Sequence, residues 1–124
     1  MSAEKSGACG GGPKLIFACS GAADVGEVAD RTARELTKNG VGKMFCLAGV
    51  GGRVAGIIKK TGEASDILAI DGCDLDCTKN CLDQAGFAGF KHLRITDLGM
   101  EKGRTPVTEE NVVKVVAKGT EVVS

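Results

Sequence analysis

Apolar positions along this chain switch between two spacings four times. Lys14-Leu-Ile-Phe-Ala-Cys19 is an unbroken apolar run of strand length, and Val25, Val28, Ala29 and Leu36 then recur at helical spacing. Lys38-Asn39-Gly40 closes that helix, because glycine tolerates the left-handed backbone found just past a helix end. Gly42 to Ala48 reads as a second strand, Gly49-Val-Gly-Gly52 as a turn, and Val54, Ile57 and Ile58 as one face of a shorter helix. Asp66-Ile-Leu-Ala-Ile-Asp71 is the third strand, and Asp74 to Ala85 the third helix, stopped by Gly86. His92 to Asp97 is the fourth strand, followed by a loop rich in Gly and Lys and a helix beginning near Thr108. Thr108 suits the N-cap, Glu109 and Glu110 suit the positive helix start, and Val107 with Val112 has the spacing of a hydrophobic staple.

Strands and helices that alternate through connections too long for hairpins imply parallel strands, right-handed crossovers and a sheet covered on both faces. The expected fold is α/β: one small Rossmann-like three-layer sandwich with about four parallel strands, over residues 14–124. Residues 1–13 are polar and glycine-rich with no periodicity, and are expected to form a flexible arm.

Composition narrows the function. The chain has 124 residues, of which 43% are hydrophobic, enough to bury a core without disulfides. Sixteen basic residues balance sixteen acidic ones, and Trp and Tyr are absent, so neither a steering field nor stacking platforms point to nucleic acid. The apolar runs are too short to span a bilayer and the start lacks a signal-peptide pattern, so a cytoplasmic protein with no membrane partner is expected. In a reducing compartment the six cysteines stay free, which leaves metal binding, redox chemistry or burial.

In a parallel sheet Cys19, Cys46 and Cys73 each fall at or near the end of a strand and converge on one edge, where such folds place ligands. If Cys73 opens the third helix, Cys77 shares its face with β-carbons roughly 5–6 Å apart. Two thiolates on one zinc lie about 4 Å apart, so the pair can serve one ion. The helix start also favours thiolates. Cys46, between Phe45 and Leu47, reads equally well as a small core residue. Cys81 continues the stripe of Cys77 and is either a further sulfur or a core contact, the latter preferred. Cys9 either caps the edge or stands apart.

Other motifs are weaker. Gly49 to Gly52 matches neither dinucleotide nor P-loop fingerprints and reads as a turn. Cys19-Ser20-Gly21 has the position of a nucleophile loop but lacks an arginine placed to clamp phosphate. His92, at the start of its strand, is expected on the far side of the sheet from the cysteines and outside any site.

Ile70-Asp71-Gly72-Cys73 with Cys77, together with Cys19-Ser20-Gly21 and Cys46-Leu-Ala-Gly-Val-Gly-Gly52, resembles the DGC domain family, described as zinc-binding, from about Cys9 to the last helix. The resemblance implies that Cys19, Cys46, Cys73 and Cys77 match four chelating cysteines. Asp74-Leu75 departs from the family, in which proline often follows the tripeptide. The expected function is therefore a zinc-binding protein with a cysteine-thiolate site and a role in metal handling, sensing or redox. The alternatives are an iron–sulfur protein or a thiol enzyme in which Cys73 attacks and Cys77 or Cys81 resolves. No residue pattern names a substrate, a reaction or a protein partner.

Overall fold

The structure, a computed structural model, describes residues 12–124. Most of the expected arm, Cys9 included, lies outside the described residues. From there the order is β1 (Lys14–Ala18), α1 (Asp24–Lys38), β2 (Lys43–Met44), α2 (Leu47–Gly51), α3 (Ala55–Gly62), β3 (Asp66–Asp71), α4 (Cys77–Gln84), β4 (Lys91–Arg94), a 3-10 turn (Ile95–Leu98) and α5 (Glu109–Val123). The four strands form one all-parallel sheet in the order β2-β1-β3-β4.

Two apolar layers hold helices to the sheet. On one face Ile16, Leu68 and Ile70 pack against Val25, Val28, Ala29 and Leu36 of α1 and Val112 and Val115 of α5. On the other, Leu15, Phe17 and Ala69 meet Val50 of α2, Leu82 of α4 and the half-buried Ile57 and Ile58 of α3. The continuous apolar runs of β1 and β3 follow from this, since both pleat faces are covered. Each fully buried side chain of this size contributes roughly 1.5–3 kcal/mol. Gly40 takes a φ of 77°, as a helix terminator must. Thr108 caps α5, its hydroxyl accepting from the backbone N–H of Asn111 at 3.2 Å.

Three expectations need correction. The second strand is only Lys43–Met44, and α2 begins at Leu47 with Cys46 as its N-cap, so Gly49 to Gly51 are helical rather than a turn. The reason is packing: a Cβ on Gly49 would stand 2.7 Å from Ile57, so glycine lets α2 fold tightly onto α3. Cys46 therefore leaves the strand and is exposed, not a core residue. The third helix starts at Cys77 rather than near Asp74, because Asp76 holds a left-handed conformation (φ 53°, ψ 46°) that interrupts the helix. Cys73 thus precedes the helix and does not share a helix face with Cys77.

Candidate metal centre at the strand ends

β1 connects to β2 on one side of the sheet, whereas β3 lies on its other side, so the loops after β1 and β3 diverge over a crevice. Cys19 stands in the first loop and Cys73 in the second.

The second loop is built on close backbone packing. A Cβ on Gly72 would lie 2.8 Å from the carbonyl carbon and oxygen of Val25 and 3.0 Å from the nitrogen of Gly26, and one on Gly26 would lie 2.6 Å from the Gly21 oxygen. Gly72, Gly26 and Gly21 therefore bring both loops against the start of α1. Asp71, only 1% exposed, turns toward α4. Its Oδ1 accepts from the backbone N–H of Thr78 at 2.7 Å and its Oδ2 from that of Lys79 at 3.1 Å. Asp76 makes no side-chain cap, so a carboxylate from the preceding strand caps α4 instead. Asp76 is held by Arg94, whose Nε and Nη2 donate to its two oxygens at 2.9 and 2.6 Å. That pairing holds the Asp76 carboxyl below its ordinary value and raises the Arg94 guanidinium, despite opposing desolvation. The backbone N–H of Asp76 donates to the Cys73 carbonyl at 3.2 Å, closing Cys73 to Asp76 into a turn.

In the first loop Ser20 has a φ of 51°, and its hydroxyl donates to Asp30 at 2.8 Å. Arg34 donates to the other Asp30 oxygen at 2.7 Å. Burial pushes the Asp30 carboxyl up, but the hydrogen bonds from Arg34 and Ser20 outweigh it and leave the carboxyl below its ordinary value. Arg34 of α1 is thus linked to this loop through Asp30.

A cleft of about 1080 Å³ opens at this edge, with Cys19, Cys46, Cys77 and Cys81 on its wall, Arg34 at one side and Phe45 at another. Cys77 and Cys81 are successive turns of α4, and Cys81 stands over Gly51 of α2, its sulfur 3.6 Å from where a Cβ there would be. Desolvation pushes the Cys77 thiol up, with Asp71 and the sulfurs of Cys19, Cys73 and Cys81 adding to the effect, so these groups are electrostatic neighbours. Cys73 stands beside the cleft rather than in its wall. Its sulfur meets the Lys102 ammonium at 3.6 Å. Lys102 rides on a strap tied to α1, where Asp24 accepts from the backbone N–H groups of Gly103 and Thr105 at 2.9 Å each. The Gly103 and Thr105 bonds hold the Asp24 carboxyl below its ordinary value.

His92 is not on the far side. β4 starts opposite Leu68, midway along β3, so its second residue already lies near the strand ends. His92 Nε2 is 2.8 Å from Asp71 Oδ2 and 3.6 Å from Asp76 Oδ1. Sequence spacing missed this because a stagger between strands is invisible in one chain. Asp71, Asp76 and His92 are the described residues whose possible ligand atoms lie within 4.8 Å of one another. Their oxygens are already engaged by α4 and Arg94, which makes this trio a support for the loop. The cysteine sulfurs are spread more widely around the cleft, as an open set of soft donors. As a donor set, sulfurs suit zinc or an iron–sulfur cluster better than magnesium or calcium.

A parallel α/β sheet with cysteines gathered at its switch point defines the class, and the chain belongs to the DGC domain family, whose family model matches residues 15–118. It is also similar to the anaerobic and virulence modulator AnvM of Pseudomonas aeruginosa, with 36% identity over 88 residues, 71% of this chain and 67% of that protein. No solved structure matches the chain. Among the described residues no helix is long and apolar enough to cross a membrane.

Proposed function

We propose that this edge binds a thiolate-loving metal, zinc in the first instance, through Cys19, Cys46 and Cys77 of the cleft wall and Cys73 at its border, with Cys81 of the same wall as a candidate further sulfur. One observation carries the reading: cysteines from three separate connections gather at the switch point of a parallel sheet. Zinc accepts four thiolates without a strong geometric demand, which suits donors on loops able to adjust. When bound it would draw the sulfurs together and stabilise them as thiolates. The chain's own residues orient that set: Asp71 fixes the start of α4, Arg94 fixes the turn before Cys77, and Lys102 offers positive charge to Cys73. Kinship with a protein described as an anaerobic and virulence modulator favours a regulatory role over turnover of a substrate.

The test is elemental analysis with an absorption spectrum on protein purified anaerobically without added metal. About one zinc per chain with no visible band is the expected result. Iron with sulfide and a broad visible band would replace zinc with a cluster. No metal at all would sink the reading and leave the thiols as the function, a second reading favoured by the Lys102–Cys73 contact. Serine at Cys73 or Cys77 is expected to reduce metal content sharply, and serine at Cys81 much less. Equal content in all three variants would refute the ligand assignment.

A further inference from the structure

A zinc ion that serves architecture sits in a closed tetrahedral shell and supplies folding energy that the chain otherwise lacks. Neither property fits this edge. The core is complete without a metal, since Phe17, Ile70, Val28, Leu82 and Val115 are all fully buried between sheet and helices. Cys19, Cys46, Cys77 and Cys81 line a cleft that is open to solvent, and Cys46 and Cys77 are exposed. The sulfurs are also unequally held. Cys73 is braced by Lys102 on a strap fastened to α1, and Cys77 follows a turn clamped by Arg94. Cys46 instead begins the five-residue helix α2 and faces solvent.

Resting on the zinc reading above, we infer that the metal is cargo, passed by direct ligand exchange to an acceptor that presents thiols into the cleft. Cys46 is the first ligand displaced. The incoming thiol forms a sulfur–metal bond as the Cys46–metal bond breaks, and its proton passes to the Cys46 sulfur. No electron changes hands, and the acceptor's second thiol repeats the step at the next cysteine. The cleft provides what such a transfer needs, room for donor and acceptor sulfurs on the metal at once. The apolar Phe45, Met44 and Leu47 beside Cys46 form a wall for the acceptor's carbon chain.

The experiment uses the full chain loaded with zinc and follows zinc loss to the small dithiol 2,3-dimercaptopropanol over a range of concentrations in anaerobic buffer. Direct exchange needs the dithiol in the cleft, so the rate rises in proportion to dithiol at low concentration and levels off only when the cleft is filled. A rate that does not depend on dithiol concentration means that the metal leaves before the acceptor arrives, and overturns the inference while leaving the zinc reading intact. A chain that takes up no zinc overturns both. Cys46→Ser, checked for an unchanged unfolding midpoint in its metal-free form, separates the order of steps. Transfer from it that is faster than wild type and still rises with dithiol supports Cys46 as the first ligand out, and unchanged or slower transfer overturns that assignment.

Discussion

Replacing Asp71 with Asn tests the claim that this carboxylate fixes the loop before α4 and the start of that helix. The carboxylate accepts from two backbone N–H groups at the start of α4 and lies 2.8 Å from His92 Nε2, with 1% of its surface exposed. An amide of the same shape has a single acceptor oxygen. If that oxygen keeps the shorter bond to Thr78, the amide nitrogen confronts the N–H of Lys79, and a buried donor is left unpaired at a cost of roughly 1–3 kcal/mol. Losing negative charge at a helix N-terminus adds about 0.3–1 kcal/mol. The expected loss is roughly 3 kcal/mol, a large share of the roughly 5–15 kcal/mol that keeps a domain folded. Equilibrium urea unfolding of the reduced, metal-free protein measures it, because metal linkage would otherwise add to the difference. Asp74→Asn in the exposed loop is the control and should cost little. A loss below about 1 kcal/mol for Asp71→Asn would refute the argument, since it would mean that the helix start finds water or another cap at no expense.

Other expectations follow from single contacts. Gly72→Ala places a methyl 2.8 Å from the Val25 backbone, which cannot yield as a flexible side chain can, and should cost about 1–3 kcal/mol in the same urea assay. Thr32→Val should raise stability by about 1 kcal/mol, because the fully buried Thr32 hydroxyl has no hydrogen-bond partner among the described residues; a loss of stability would show that the hydroxyl is satisfied. On the zinc reading, Lys102→Met should weaken zinc binding about 10–100-fold in competition with a chromophoric chelator, with Lys102→Arg restoring most of it. Acid should destabilise the fold through Asp24, Asp30 and Asp76, whose carboxyls are held below their ordinary value of 3.8. Their contribution is complete above the unfolded value and is lost as pH falls through the lower folded values. Arg94→Met removes the partner of Asp76, so its urea midpoint should fall less between pH 5 and strongly acidic solution than that of the wild type.

The sheet was legible because β1 and β3 are buried on both faces and must be continuously apolar, and the bounds of β3 at Asp66 and Asp71 agree with the expectation. β2 misled because Phe45 and Leu47 are apolar for a different reason. They pack at the start of α2 instead of extending the strand, and alternation alone cannot separate these cases. The helix after Gly72 misled for a local reason, since nothing in Asp74-Leu75-Asp76 announces that a distant arginine holds Asp76 left-handed. At the site, the gathering of cysteines follows from parallel topology, which the alternation of elements implies. The parts hidden from sequence reading are the long-range ones: Asp71 capping the next helix, His92 beside it through the stagger of β4, and Lys102 delivered by a strap tied to Asp24.

The contact of Gly72 with the backbone of α1 bears on how a mutational map of this protein would look. In a saturation library scored on zinc retained by the chain, the readout that the zinc reading calls for, Gly72 would tolerate as few alternatives as its neighbours Asp71 and Cys73, so the tripeptide would stand out as a block of equal severity. The three positions would be failing for three unrelated reasons: a missing helix cap, a collision with a peptide plane, and a missing sulfur. Adding metal to the growth medium would separate them. Supplementation would rescue variants whose only fault is weak metal binding, as the zinc reading predicts for Cys73, and would do nothing for a chain whose loop no longer fits against α1.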